Sequence, residues 1–176
     1  AQAAKNCAIN ATIGQITDGR NGALPLPAMV EPVEGLPAEQ IVLYTTTSGN
    51  PQLRAVWSDR LRSQQCGSIS NPIVTQGLTH GLSIVADLFS DSTGTVILPS
   101  PGWGNYQHIF GTRRNAKIQT YRPVSRNGLD LDAIDQALQS APNGAILVLN
   151  FPSNPIGYSP TCAEANALAE RINAHK

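Results

Sequence analysis

The stretch Thr95-Val96-Ile97-Leu98-Pro99-Ser100-Pro101-Gly102-Trp103 carries the most information about the fold. A short apolar run that is bounded by Pro and Gly is typical of a buried strand. We therefore predict a strand over 95–99 and a short helix near 104–111. A strand that leads through a turn into a helix is the unit from which parallel sheets are built.

The same alternation continues on both sides of this stretch. Further strands are predicted at 73–75, 117–121 and 145–149. The last of these is unbroken in its apolar character, as expected of a strand that is buried on both faces. Apolar residues at helical spacing predict helices at 50–65, 78–90, 130–139 and about 161–173. The whole pattern predicts an α/β fold with a mostly parallel sheet.

The N-terminal region lacks this alternation of strands and helices. Residues 1–40 contain closely spaced glycines and prolines that interrupt any period, so we expect an irregular N-terminal arm there. The remaining residues, 41–176, form the second predicted region, which holds the sheet.

Composition excludes several classes of protein. The 176 residues carry 12 basic and 12 acidic side chains, and this balance predicts neither a nucleic-acid partner nor an anionic membrane partner. No apolar run approaches the roughly 20 residues of a membrane span. The three cysteines form no CxxC pair, which favours reduced thiols in the cytoplasm over a disulfide framework or a metal site.

In a parallel sheet, ligands bind beyond the carboxyl ends of the strands, so the loops there are where we expect a site. Residues 75–81, Thr-Gln-Gly-Leu-Thr-His-Gly, lie between a predicted strand and a predicted helix. Glycines and a threonine at a helix N-terminus offer backbone N–H groups, a hydroxyl and a positive dipole end to a phosphate. The alternative interpretation is a plain strand-to-helix turn.

Two further loops are candidates for the same site. In residues 99–106, Trp103 stands between glycines at a strand exit, where it is either a platform for a flat ligand or folded back over the core. In residues 150–157, the Asn154 amide can bond a ligand, or the segment is a rigid turn in which a cis Asn154–Pro155 bond is possible. Together the three loops suit one flat, phosphorylated ring.

The order of these motifs resembles the fold-type I, pyridoxal phosphate-dependent aminotransferases, in the class I branch that includes aspartate and aromatic aminotransferases. The resemblance rests on Gly77-Leu78-Thr79, on Trp103-Gly104-Asn105-Tyr106 and on Asn154-Pro155-Ile156-Gly157. It extends to residues 9–14 and to Tyr44 with Gly49 and Leu53-Arg54. It implies a three-layer α/β/α large domain, of which residues 41–176 would be the first half, and an N-terminal arm that covers the active site.

The resemblance also implies a role for each matching residue. Gly77, Leu78 and Thr79 would bind the phosphate of pyridoxal 5'-phosphate, and Trp103 would stack on its ring. Asn154 would donate to the phenolic oxygen of the ring. The residues expected to contact the amino acid or 2-oxo acid substrate are Ile13, Gly14, Trp103 and Asn154. Tyr44 would reach the phosphate in the neighbouring subunit of a cytoplasmic homodimer with shared active sites.

No catalytic lysine is recognisable in this sequence. The family's lysine forms a Schiff base with the cofactor, and we expect it beyond Lys176, because none of Lys5, Lys117 and Lys176 has the matching context. This chain alone is therefore expected to be inactive. Two alternatives remain: another pyridoxal phosphate enzyme of the same fold, such as a carbon–sulfur lyase, or a non-catalytic aminotransferase-like regulatory domain.

Overall fold

The structure is a computed structural model that describes residues 14, 16–19, 22–64 and 67–175. The chain divides into two compact units, residues 1–51 and 52–176. The division lies eleven residues after the predicted boundary at residue 40, and residues 41–51 thus belong to the first unit.

The first unit contains two helices where the sequence predicts irregular structure. They are α1 (Pro27–Glu34) and α2 (Ala38–Val42). Pro27 occupies the first turn of α1, where its missing N–H would have no partner inside the helix, and Pro37 lies at the N-cap of α2. The prolines therefore begin helices here, although Pro32 lies inside α1. Neither helix buries a residue.

The second unit, which begins inside α3 (Pro51–Ser63), is built on a parallel sheet. Its central strand is β1 (Thr95–Pro99), all five residues of which are buried. On one side β1 pairs with β2 (Lys117–Tyr121), and on the other with β5 (Ile146–Leu147). The order is β2-β1-β5, and both pairings are parallel, as predicted.

Helices cover both faces of this sheet. Val96 and Leu98 of β1 face α4 (Gly77–Phe89) and a π-helix (Gln107–Arg113) in one core cluster. Ile97 lies in a second cluster with residues of α5 (Leu131–Ser140) and α6 (Cys162–Ala174). Since successive side chains of a strand point to opposite faces, these clusters place β1 in the middle of three layers. The α/β prediction is therefore confirmed.

The helices on the second face begin where the sequence indicates. The Asp130 side chain caps α5 by accepting a hydrogen bond from the Ala133 N–H at 3.1 Å. Thr161 caps α6 and forms a reciprocal capping box with Glu164. A short antiparallel hairpin, β3 (Val124–Ser125) with β4 (Gly128–Leu129), precedes α5.

Three predicted elements differ from the structure. Residues 73–75 form no strand, since they pair with no neighbouring strand in the described sheets. The strand predicted at 145–149 is reduced to β5 and is only half-buried; among the described strands it pairs with β1 alone. The predicted short helix near 104–111 has π-helical hydrogen bonding over Gln107–Arg113, a form that is common near functional sites.

Candidate active site

The first turn of α4 forms one side of the candidate site. Gly77 has a φ of +78°, which an L side chain adopts only with strain, and its N–H donates to the Thr75 carbonyl at 2.9 Å. The N–H groups of Leu78 and Thr79 belong to the first turn, where a helix provides no acceptor. Both residues are exposed, and they lie at the positive end of the α4 dipole.

A side-chain contact links this turn to the loop after β1. The Asn105 amide donates to the Thr79 hydroxyl oxygen at 3.4 Å. Because the hydroxyl oxygen accepts this bond, its own hydrogen stays available for an anion. The sequence analysis includes Asn105 in the motif that follows Trp103 but gives it no role.

Trp103 combines the two interpretations that the sequence allows. Its ring is half-buried and packs against the first core cluster, edge-on to Tyr106 with ring centroids 5.3 Å apart. A cavity of about 180 Å³, lined by Trp103 and Tyr106 among others, opens beside it. The Trp103 ring is therefore fixed by the core on one side and accessible on the other.

Gly102 allows this loop to turn sharply after β1. A Cβ at this position would lie 2.2 Å from the Pro99 carbonyl oxygen, far inside van der Waals contact. The chain can therefore fold back on Pro99 only with glycine at 102.

Asn154 lies in the loop after β5, which neighbours β1 in the sheet. Its side chain is exposed, whereas that of the preceding Ser153 is buried. The Asn154–Pro155 bond is cis, as are Ser100–Pro101 and Phe151–Pro152. Because β1 and β5 are parallel neighbours, the loops that carry Trp103 and Asn154 leave the same edge of the sheet.

The remaining predicted residues lie in the first unit. Tyr44 is fully exposed after α2, and Gly14 is exposed, with no atom within 4 Å of the place where a Cβ would lie. Ile13 lies outside the described residues. The structure therefore brings Gly77, Leu78 and Thr79 together with the Trp103 loop. The binding roles of all the predicted site residues stay predictions.

A second network, which sequence reasoning missed, supports the Asn154 loop. The Tyr158 hydroxyl donates to the Glu164 carboxylate at 2.7 Å, and the Leu129 N–H donates to the same oxygen at 2.8 Å. These bonds, with others from Thr161, lower the pKa of Glu164 to about 2. The Thr161-x-x-Glu164 spacing is the one sequence signal that could have identified Glu164.

Neither a metal site nor a membrane-spanning helix is found among the described residues. The part of the chain that the structure describes contains no group of three or more His, Cys, Asp or Glu arranged to hold a metal ion. In that same part, no helix has the length and apolar character of a membrane span.

Comparison with known proteins defines the class to which this fold and site belong. The family model for aminotransferase class I and II matches residues 8–176, and the chain belongs to that family. Enzymes of this family use pyridoxal 5'-phosphate as their cofactor.

Individual relatives agree with this assignment. The chain is 34% identical over 134 residues to the cytoplasmic aspartate aminotransferase isozyme 2 of Arabidopsis thaliana, with 74% of this chain and 31% of the relative covered. It is 30% identical over 137 residues to the mitochondrial aspartate aminotransferase of Schizosaccharomyces pombe, with 76% of this chain and 29% of the relative covered. A solved aminotransferase from Anaerococcus prevotii shares the fold, with a TM-score of 0.85 at 20% identity, covering 98% of this chain and 45% of that one. The chain thus spans about a third of the length of these curated relatives.

Proposed function

We propose that the protein is a pyridoxal phosphate-dependent aminotransferase, which moves an amino group between an amino acid and a 2-oxo acid. The observation that carries the proposal is the family match over residues 8–176. The loops that carry Trp103 and Asn154 leave one edge of a parallel sheet, where α/β folds bind their ligands, and the Asn105–Thr79 bond joins the α4 turn to the first of them.

The donors of the α4 turn fit the phosphate of this cofactor. The Leu78 and Thr79 N–H groups have no acceptor inside the helix, and the Thr79 hydroxyl keeps its hydrogen while it accepts from Asn105. Gly77 leaves open space at its Cβ position, so an anion can approach the backbone. In our proposal these three residues hold the phosphate at the positive end of α4.

The other two loops fit the ring. The accessible side of Trp103 offers an aromatic surface, and Asn154 offers an exposed amide that can donate to the phenolic oxygen. When bound, the cofactor supplies an electron sink for the substrate carbon. The residues of this chain bind and orient it, and the lysine that moves the proton is expected beyond Lys176.

The finer parts of the proposal concern substrate, assembly and location. We expect the substrate to contact Ile13, Gly14, Trp103 and Asn154, and Tyr44 to reach a phosphate in the partner subunit of a homodimer. The cytoplasmic location is supported by one of the two relatives above, whose name places it there, while the other is mitochondrial.

The proposal is tested on the intact protein that contains this chain. After incubation with pyridoxal phosphate and borohydride reduction, mass spectrometry should show one phosphopyridoxyl group on a lysine, and amino-donor screening should show 2-oxo acid formation. Release of a thiol and ammonia from a thioether amino acid, with no amino transfer to a 2-oxo acid, would indicate a carbon–sulfur lyase instead. Absence of both adduct and turnover would indicate a non-catalytic domain and contradict the proposal.

A matched pair of α4 variants tests the phosphate contact. Thr79→Val removes the hydroxyl with little change of shape and should weaken cofactor binding about 10- to 100-fold, the size expected for one hydrogen bond to a charged group. In Ser83→Ala the lost hydroxyl only donates to the Thr79 carbonyl within α4, so binding should stay within about 2-fold. Equal effects of the two variants would exclude a contact between the Thr79 hydroxyl and the phosphate.

A further inference from the structure

The loop that carries Asn154 is closed by bonds between its two ends. The Ser153 N–H donates to the Tyr158 carbonyl at 2.8 Å, and the Tyr158 N–H donates to the Ser153 hydroxyl at 3.2 Å. The Gly157 N–H donates back to the Ser153 carbonyl at 2.5 Å. Asn154 lies between these ends and is exposed, so its position depends on how Ser153 and Tyr158 are held.

Tyr158 is held in turn by one carboxylate. The Glu164 Oε1 atom accepts from the Tyr158 hydroxyl at 2.7 Å and from the Leu129 N–H at 2.8 Å. The Glu164 Oε2 atom accepts from the Thr161 N–H at 2.7 Å and from the Thr161 hydroxyl at 2.9 Å. Each oxygen thus has two donors, which is what an ionised carboxylate can accept and a neutral amide cannot.

The hairpin beside Glu164 is shaped to admit this carboxylate. A Cβ on Gly128 would lie 2.3 Å from the Glu164 Oε1 atom and 3.0 Å from the Tyr158 hydroxyl oxygen. Gly128 also has a φ of +118°, which disfavours any L side chain. Glu164 therefore joins Leu129 of the hairpin, which lies 35 residues before it in sequence, to the nearer residues Tyr158 and Thr161.

We propose that Tyr158 and Glu164 are positioning residues that hold Asn154 in place for the ring of the cofactor. The inference rests on the proposed function, because it assumes that Asn154 donates to the phenolic oxygen. Neither side chain touches the cofactor in this proposal. Glu164 joins the loop to α6 and to the hairpin through hydrogen bonds. Tyr158 in turn bonds to Ser153, the residue before Asn154.

The test uses the intact protein saturated with pyridoxal phosphate, and measures the pH midpoint of the visible absorption band of the bound cofactor. An amide donor draws charge from the phenolic oxygen, so its loss raises the midpoint. Asn154→Ala should raise it by about 0.5 to 1 pH unit, the size of one neutral hydrogen bond. Tyr158→Phe should raise it in the same direction by a smaller amount and weaken cofactor binding by roughly 2- to 10-fold.

Glu164→Gln should raise the midpoint as well, because an amide cannot accept from both the Tyr158 and the Thr161 donors. Glu170→Gln, which removes an exposed charge from the same helix, is the control and should leave the midpoint unchanged. A merely structural role would lower the melting temperature of the apo-protein without moving the midpoint at saturation. If Glu164→Gln does not fold, Tyr158→Phe decides, since it keeps the ring and the capping box.

The outcomes separate the two proposals. If Asn154→Ala moves the midpoint and Tyr158→Phe does not, the positioning role is wrong and the proposed function stands. If the wild-type protein and Glu170→Gln bind no cofactor, both proposals are overturned. If the midpoint of Tyr158→Phe moves with that of Asn154→Ala, the positioning role is confirmed.

Discussion

Replacing Gly102 by alanine should distort the loop that carries Trp103. The added Cβ would lie 2.2 Å from the Pro99 carbonyl oxygen and 3.2 Å from the Pro99 carbonyl carbon. Both are backbone atoms, so no side-chain rotation relieves the overlap. The backbone must move by about 1.3 Å to restore an ordinary contact near 3.5 Å.

The expected cost is that of overpacking a well-packed site, about 1–3 kcal/mol in the free energy of unfolding. Since Trp103 follows directly, its edge-on contact with Tyr106 should also loosen. Gly104→Ala is the matched control, because a Cβ there meets no atom within 4 Å and Gly104 is exposed. Its effect should stay within about 0.5 kcal/mol.

The assay is denaturant unfolding of the intact protein, followed by tryptophan fluorescence, together with titration by pyridoxal phosphate. Gly102→Ala should lower both the unfolding midpoint and the cofactor affinity, while Gly104→Ala should lower neither. If the two variants unfold alike, the close approach to Pro99 does not shape this loop and the reasoning is refuted.

Two further predictions concern the second face of the sheet. Burial raises the pKa of Tyr121 from 10.0 to about 12, so the folded state favours the neutral phenol. This stabilisation is complete below about pH 10 and is lost as the pH rises toward about 12. The free energy of unfolding should therefore fall across that range, and Tyr121→Phe should make its dependence on pH less steep. Asp130→Ala removes the cap of α5 and should destabilise the protein by about 1 kcal/mol or more, whereas Asp130→Asn keeps an oxygen for the cap but loses the charged partner of Arg122 and should lie between the alanine variant and the wild type. Equal melting temperatures for the alanine and asparagine variants would contradict the capping role.

Much of the candidate site is visible in the sequence because it lies in short local motifs. Gly77-Leu78-Thr79, Trp103 and Asn154 are each found from neighbours within a few residues, and the loops that carry them follow or precede elements with clear patterns. Asn105 and Tyr158 are not found in this way, because their partners Thr79 and Glu164 lie 26 and 6 residues away. Neither pair lies within a single helix or strand, so these bonds leave no trace in the hydrophobic pattern.

The sequence by itself determined the elements whose cause is local. β1 follows from one apolar run, and α5 and α6 follow from caps and apolar spacing within three or four residues. Tertiary structure decided which extended segments become strands, since a strand requires a partner: residues 73–75 pair with none in the described sheets, and β5 is short and half-buried. It also decided that Trp103 packs on Tyr106 and that Glu164 joins three segments, because those contacts depend on where the folded sheet places distant residues.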